Sequence, residues 1–254
     1  MKKQLLCSVA AIAITASLTG LAGAADLPRK APPAPVVQPP PLLWNGFYVG
    51  GHLGWGRAKV SGFADHSGDI FPYEDKPQGL VGGLHGGYNW QVNTFVFGVE
   101  ADLSAAGLQK TNFRINDGSQ PCQSSALAAC THTNINMLGS LRARLGLSFD
   151  RALVYGTGGL GYARWSTLTS FGTTAFGAAG NKSTWGWVAG GGVEWKQTPN
   201  FSWRVEALYY GFNDTITFGN HDSPPTNFAT AKLKDVLVVR LGATYHFDGG
   251  GWGR

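Results

Sequence analysis

From Trp44 onward, apolar residues recur at every second position rather than at the 3.6-residue period of a helix. Eight runs of this kind follow one another, and each predicts a β-strand with one apolar face. The fifth, from Leu153 to Trp165, is rich in glycine and its facing is ambiguous. In the other runs the apolar face carries Phe47, Val49, Leu53 and Trp55; Leu80, Leu84, Tyr88 and Trp90; Phe95, Phe97, Val99 and Leu103; Ile135, Met137, Leu141, Leu145, Leu147 and Phe149; Trp185, Trp187 and Val193; Phe201, Trp203, Val205 and Tyr209; and Leu237, Val239, Leu241, Tyr245 and Phe247.

The connections between the predicted strands alternate in length. Short ones fall near 92–93, 150–151 and 197–200, where turn-forming residues cluster, and long ones cover roughly 59–78, 105–132, 166–183 and 212–231. Short turns at one end and long loops at the other are typical of bacterial outer-membrane barrels. The span 44–247 is too short for a porin of sixteen strands. We therefore predict an all-β protein: an eight-stranded antiparallel transmembrane β-barrel with short periplasmic turns and four long extracellular loops.

The aromatic residues support a membrane location. With the first strand running away from the periplasm, one group of rings falls at the periplasmic rim, and Trp55, Trp165, Trp185, Trp187 and Tyr209 fall near the opposite rim. Amphipathic rings favour the headgroup level on both sides of a bilayer. Two aromatic belts around leucine-, valine- and alanine-rich strand centres are therefore expected.

Charged residues occupy the opposite face of the same strands. They comprise four acidic and four basic side chains: Glu100, Asp102, Glu194, Glu206, Arg142, Arg144, Arg204 and Arg240. The interior of an eight-stranded barrel is just wide enough to be filled by side chains. Unpaired buried charges would be costly, so we predict a balanced salt-bridge network in the lumen. A selective ion path is the alternative reading.

The ends of the chain are predicted to lie outside the barrel. Residues 1–24 have the basic start, apolar stretch and small-residue cleavage site of a signal peptide. Residues 25–43 are rich in proline and read as an extended periplasmic linker, and 248–254 form a short C-terminal extension. Export favours a disulfide between Cys122 and Cys130, with two free thiols as the alternative.

Composition narrows the function. Charged residues make up 14% of the chain, against about 25% in average soluble domains, while hydrophobic residues reach an ordinary 43%. This combination suggests an outside that does not face water. The formal net charge of +5 falls to +3 without Lys2 and Lys3 of the predicted signal peptide, and this is too small to indicate a nucleic-acid partner.

Three histidines, His66, His132 and His221, fall in predicted extracellular loops. Imidazole ligates hemin iron and transition metals, so hemin or metal binding by these loops is one hypothesis; the alternative is that they are ordinary exposed loop residues. Catalysis needs a nucleophile, a base and an orienting group within reach, and no such triplet stands out from the strand pattern. We therefore expect no enzyme activity and no required cofactor.

The stretch Trp44-Asn45-Gly46-Phe47-Tyr48-Val49-Gly50-Gly51 resembles the first strand of small alphaproteobacterial outer-membrane barrels of the opacity/OmpA-like type. That group includes immunogenic surface proteins and hemin-binding members. The last strand is also similar to the family's, and Arg240, Gly242, Tyr245 and Phe247 match the signal read by the barrel assembly machinery. The family's terminal Phe usually ends the chain, whereas here Asp248 to Arg254 follow.

These observations together predict a non-enzymatic protein of the Gram-negative outer membrane that contributes to envelope integrity and surface interaction. Its expected partners are outer-membrane lipid, including lipopolysaccharide, and the assembly machinery. A narrow porin-like channel or a hemin- or ligand-binding surface receptor is the alternative, and a soluble lectin- or lipocalin-like barrel is a third possibility.

Overall fold

A computed structural model describes residues 44–66, 69–114, 129–171, 178–220 and 227–247. The predicted signal peptide 1–24, linker 25–43 and extension 248–254 lie outside these residues. The described strands are β1 (Gly46–His66), β2 (Asp69–Asp75), β3 (Gln78–Val92), β4 (Phe95–Arg114), β5 (Ala129–Phe149), β6 (Ala152–Phe171), β7 (Ala178–Thr198), β8 (Phe201–Asn220) and β9 (Asn227–His246). No helix capable of spanning a membrane is found in this part of the chain.

The strands close into an antiparallel ring. Each strand from β3 to β8 pairs with the next one in the chain, and β1 closes the ring by pairing with both β3 and β9. The prediction of an eight-stranded barrel is confirmed, with one additional strand. This strand, β2, pairs with the far end of β1, and Lys76 and Pro77 separate it from β3. Tight turns join strands at one end, where Asn93 and Asp150 adopt positive φ values of 55° and 50°. Asn and Asp tolerate this conformation better than other non-glycine residues. We call this the lower end and the opposite one the upper end.

Alternation along the strands sorts side chains between membrane and lumen as predicted. Phe47, Leu53, Leu141 and Trp203 point outward and are exposed on the isolated barrel. The ambiguous facing of the fifth predicted strand, β6, is also settled: its Leu160 points outward, whereas other β6 side chains are buried. The buried β6 residues include Leu153, Tyr155, Ala163 and Trp165.

The strands run much farther upward than the sequence pattern indicated, into the ranges predicted as loops. Breaks in register fall at one level just above the upper aromatic residues, between Lys59 and Val60, Ala105 and Leu108, Ile135 and Met137, and Gly211 and Asp214. Above this level the polarity inverts, so that apolar side chains point inward. On β5 and β9 the bulge adds one residue, Asn136 and Lys234, and the alternation changes phase, whereas β4 and β8 gain two residues and keep their phase.

Two facing predictions are wrong, the first because of the bulge on β5 and the second because β6 keeps the inward phase of Leu153 and Tyr155 up to Trp165. Ile135 was placed on the lipid face and Trp165 in the upper aromatic belt, but both are 0% exposed and point into the interior. The register break between Ile135 and Met137 separates the two phases of β5. Trp165 pairs with Ile135 across β5 and β6, and therefore shares its inward direction.

The upper wall of the barrel divides into two sheets. Within the described strands, β7–β8 pairing ends at Trp187 and Gly211, and β3–β4 pairing ends at Gln78 and Gln109. Above these points β8, β9, β1 and β2 form one sheet, and β4, β5, β6 and β7 form the other. Their inner faces share one apolar cluster, so the upper part is built like a β-sandwich.

Candidate functional site

The inward side chains at mid-height of the barrel form a buried charge layer. It contains all eight charged residues that the alternation had placed on the lumen face, and each is at most 7% exposed. They come from five strands: Glu100 and Asp102 on β4, Arg142 and Arg144 on β5, Glu194 on β7, Arg204 and Glu206 on β8, and Arg240 on β9.

Glu100 lies at the centre of this layer. Arg204 donates to both of its oxygens, with Nη1–Oε2 at 2.6 Å and Nη2–Oε1 at 3.2 Å. Arg142 also donates to Oε1, and the Tyr48 hydroxyl donates to Oε2 at 2.8 Å. Bidentate and charge-assisted bonds of this kind are the strong class of hydrogen bond. One carboxylate thereby joins β1, β4, β5 and β8 across the lumen.

A second set of contacts connects β9 to β4, β5 and β8. Arg240 donates from Nε to Glu206 Oε2 at 2.8 Å and reaches Asp102 Oδ2 at 3.3 Å. Arg142 donates to Glu206 Oε1 at 2.9 Å and to Asp102 Oδ1 at 3.1 Å. Each of these charges therefore has at least two opposite partners, as burial requires.

Arg144 extends the layer toward the lower end. It pairs with Glu194, and its guanidinium carbon lies 3.6 Å from the centre of the Tyr155 ring. Arginine stacked on an aromatic face gains cation–π attraction where water is excluded. Tyr155 in turn donates its hydroxyl to Glu206 at 3.1 Å.

Two buried histidines join the layer through a directional chain of hydrogen bonds. Arg240 Nη1 lies 3.2 Å from His52 Nε2, which must accept because guanidinium nitrogens only donate; Ser104 Oγ lies 2.8 Å from the same atom. The His52 proton is then on Nδ1, which faces His85 Nδ1 at 3.3 Å. His85 carries its proton on Nε2 and donates to Thr244 Oγ1 at 3.0 Å. The contacts thus assign a neutral tautomer to each ring.

Apolar side chains close the lumen on both sides of the charge layer. Below it, Trp44, Val96, Leu153 and Tyr155 form a buried cluster. Above it lies the larger cluster that fills the space between the two sheets. Its biggest members include Trp165, Leu108, Ile135, Tyr210 and Phe212. The described interior is therefore filled by the charge layer and by an apolar cluster on each side of it, of which the lower one also contacts the buried Lys196 and His246.

Inward glycines make room for the large side chains. A Cβ atom on Gly87 would lie 2.6 Å from the Tyr48 hydroxyl oxygen and 2.3 Å from the carbonyl oxygen of Val99. A Cβ atom on Gly192 would likewise lie 2.8 Å from the Tyr155 hydroxyl oxygen. Part of the chain's high glycine content is explained by these close approaches.

Two of the three predicted loop histidines, His66 and His132, lie on described strands, and these strands belong to different upper sheets. His132 lies on β5 rather than in a loop, and its Nδ1 is 2.9 Å from Thr111 Oγ1. His66 ends β1, in the other upper sheet, and His221 lies outside the described residues. Over the described ranges, no group of three or more His, Cys, Asp or Glu side chains could hold a metal ion. Cys130 lies on β5, and its predicted partner Cys122 is outside the described residues.

Sequence reasoning missed the lumen histidines His52, His85 and His246, although the signal was present. Each directly adjoins an outward residue in its strand, namely Leu53, Leu84 or Tyr245, so alternation alone assigns it to the lumen. It also missed the upper apolar cluster, because the inward side chains change from charged to apolar within single strands.

Comparison with known proteins agrees with this architecture. The sequence profile of the outer membrane protein beta-barrel domain matches residues 31–247. The chain is 30% identical to the 31 kDa outer-membrane immunogenic protein of Brucella melitensis, over 97% of this chain and 100% of that protein. It is 31% identical to the 22 kDa outer membrane protein of Rhizobium leguminosarum bv. viciae, over 80% of this chain and 78% of the relative.

Among solved structures, the outer membrane protein OprG from Pseudomonas aeruginosa superimposes with a TM-score of 0.53 at 12% identity, covering 80% of this chain and 97% of OprG. This likeness supports the barrel fold. The lower end with its short turns then faces the periplasm and the upper end faces outward. Profile, relatives and fold agree: the chain belongs to the outer membrane protein beta-barrel domain family and is located in the outer membrane.

Proposed function

We propose that this protein is a closed, non-enzymatic barrel that contributes to envelope integrity and uses its extracellular end for surface interaction. The observation that carries the proposal is the filled lumen. A charge layer in which the arginines meet several carboxylates lies between two apolar clusters. Water and ions have little room to pass such an interior, whereas its cross-links stiffen the barrel wall.

One triplet has the composition of a catalytic triad, and its geometry argues against catalysis. Ser202 Oγ lies 2.8 Å from His246 Nε2, and Glu194 Oε1 lies 3.1 Å from the same nitrogen. In a working triad the acid binds the ring nitrogen opposite to the nucleophile. Ser202 and Glu194 are also fully buried, so a substrate has no access to them. A structural role for the triplet fits these facts.

The proposed role requires no cofactor. The position of His132 on a strand, with its ring beside Thr111, favours an ordinary polar contact over iron ligation. Titration of the refolded protein with hemin is expected to leave the Soret band of free hemin unchanged. A shifted band that disappears in the His132→Ala variant would favour the receptor alternative.

We also propose that β9 carries the assembly signal. Tyr245 and Phe247 point outward at the lower rim, and the Phe247 amide donates to the Phe47 carbonyl at 2.9 Å, at the seam where the ring closes. A Cβ atom on Gly242 would lie 3.0 Å from Cγ of Arg204. Arg240 belongs to the charge layer, where it pairs with Glu206. Phe247→Ala is expected to lower the folded fraction in the outer membrane, and Val239→Ala on the same outward face serves as its control.

Deletion of the gene in its native bacterium tests the role in the envelope. We expect the deletion to increase entry of large antibiotics that an intact outer membrane excludes, and the wild-type gene to restore resistance. The Glu100→Gln variant, which removes a charge shared by several arginines, is expected to restore less. Unchanged permeability of the deletion strain would contradict the proposal.

A further inference from the structure

Outside the lumen, the outward wall of β1 and β9 changes character sharply just above the upper aromatic level. Below that level these strands present Leu53, Val239 and Leu241 to the membrane. Above it, the outward side chains include Arg57, Lys232 and Lys234. Arg57 follows Trp55 by two residues, which is roughly 7 Å along a strand.

These three cations lie on the paired strands β1 and β9. Arg57 is opposite Leu237 and Lys232 is opposite Ser61 in the β1–β9 register, and Lys234 lies in the bulge between them. We call Arg57, Lys232 and Lys234 the basic face. Arg57 and Lys234 are exposed, and Lys232 is half-buried.

Nearby carboxylates leave the basic face with excess positive charge. Glu74 is occupied by Lys76 and Lys59, at 3.2 and 3.3 Å, and hydrogen bonds from these two lysines lower the pKa of its carboxyl. Asp235 supplies one negative charge opposite Lys59. Within the described part of the chain, no salt bridge involves Arg57, Lys232 or Lys234.

The lower rim offers a contrast. In its exposed β5–β6 turn, Asp150 and Arg151 are adjacent in sequence, and their opposite charges cancel. The uncompensated positive charge of the β1–β9 wall therefore lies at the outer leaflet, where phosphate groups of lipids are found. Basic residues near such a surface each contribute measurable attraction.

We propose that the basic face binds the phosphate groups of an outer-leaflet lipid, with lipid A of lipopolysaccharide as the chemical class. Its acyl chains lie along Leu53, Val239 and Leu241, and its phosphates contact Arg57, Lys234 and Lys232. This interaction goes beyond the closed-barrel function and holds whether or not the lumen conducts.

Binding of purified lipid A to the full-length mature protein in neutral detergent, followed by native mass spectrometry, tests the proposal. Bisphosphorylated lipid A is compared with the same lipid after removal of its phosphates. The triple variant Arg57→Gln, Lys232→Gln, Lys234→Gln is expected to bind the phosphorylated form at least about 10-fold more weakly, and the dephosphorylated form as wild type does. The control Lys110→Gln, Arg151→Gln, Arg164→Gln removes the same charge elsewhere and is expected to bind as wild type.

Three outcomes overturn the proposal: full binding by the triple variant, an equal loss in the control, or displacement of the lipid by millimolar inorganic phosphate, which indicates a site for small anions. If the triple variant does not fold, Lys234→Gln alone replaces it. Its side chain is exposed in a bulge, and a several-fold loss of phosphorylated lipid A is expected.

Discussion

At the scale of single residues, a glycine beneath a large inward side chain recurs throughout the interior. Tyr48 crosses Gly87 to reach Glu100, and Tyr155 crosses Gly192 to reach Glu206. The absence of a Cβ lets each ring lie against the wall and places its hydroxyl in the charge layer. Small inward residues are therefore as important to the layer as the charges themselves.

Gly87→Ala tests this relation. The new Cβ would collide with Tyr48 and with the Val99 carbonyl, so we expect the free energy of unfolding to fall by about 1–3 kcal/mol. Urea unfolding in lipid vesicles, followed by tryptophan fluorescence, measures the change. Gly86→Ala is the matched control, because the nearest atom to its Cβ would be the Tyr48 carbonyl oxygen at 3.4 Å. Equal effects of the two substitutions would contradict the explanation.

The His52–His85 hydrogen bond requires neutral rings. A proton added to His85 Nδ1 would place an N–H on both facing nitrogens, which are only 3.3 Å apart. A proton added to His52 Nε2 would point at the Arg240 guanidinium, 3.2 Å away. The acidic groups that face this pair are Asp102, Glu100 and Glu206. Because the unfolded chain takes up this proton more readily, stability should decrease as pH falls.

Thermal unfolding in detergent between about pH 8 and about pH 5 measures that dependence. Wild-type protein is expected to lose more stability on acidification than the variant His52→Gln, His85→Gln. His132→Gln changes an outer histidine and should retain the wild-type response. Identical pH profiles for wild type and the double variant would refute a role for this bond.

Alternation alone predicted which residues form the charge layer, because period two sorts side chains to the two faces of a sheet. It could not predict their partners. Glu100 on β4 and Arg204 on β8 meet across the lumen, and such contacts depend on barrel closure and strand register. For Glu194, which the register places opposite Arg204, the short contact is with Arg144 on β5.

At the scale of strands, a reversal of polarity separates the segments that the sequence predicted correctly from those that it did not. The membrane-level segments of the strands follow one alternation and were predicted well. Beyond the bulges the inward side chains are apolar and the outward ones polar, also on β4 and β8, where the phase is kept. The sequence analysis therefore assigns these strand extensions to loops. A reversal of polarity within one strand is hard to distinguish from a turn in one sequence.

A side-chain bridge joins β7 and β8 above the point where their backbone pairing ends. Lys182 on β7 donates to Asp214 Oδ1 at 2.7 Å and to the Thr215 carbonyl at 3.0 Å on β8. Both charged side chains are partly exposed, so we expect Lys182→Met to reduce stability by no more than about 1 kcal/mol. Its effect should be local: faster amide hydrogen exchange in the upper parts of β7 and β8.

Exchange measured by mass spectrometry on peptides covering 178–186 and 212–220 would show this effect. Arg164→Gln, on the outward face of β6, is the control and should leave both peptides unchanged. Unchanged exchange in Lys182→Met would mean that the apolar cluster alone holds the two sheets together.

At the scale of the whole molecule, one chain combines two kinds of β-structure. The lower part is apolar outside and charged inside, as a lipid solvent requires, and the upper part is apolar inside, as in a soluble sandwich. The level of the bulges marks the transition. A closed barrel with a rigid extracellular sandwich suits a structural and surface-exposed role better than transport.

Single-channel recording in planar lipid bilayers tests the closed lumen most directly. Insertion of the folded protein is verified by flotation, and a general porin reconstituted in the same way serves as the conducting reference. The protein is predicted to leave the baseline conductance of the bilayer unchanged. This expectation rests on the buried charge layer and on the apolar clusters that lie on both sides of it. Steady unitary steps that increase with salt concentration would contradict this account.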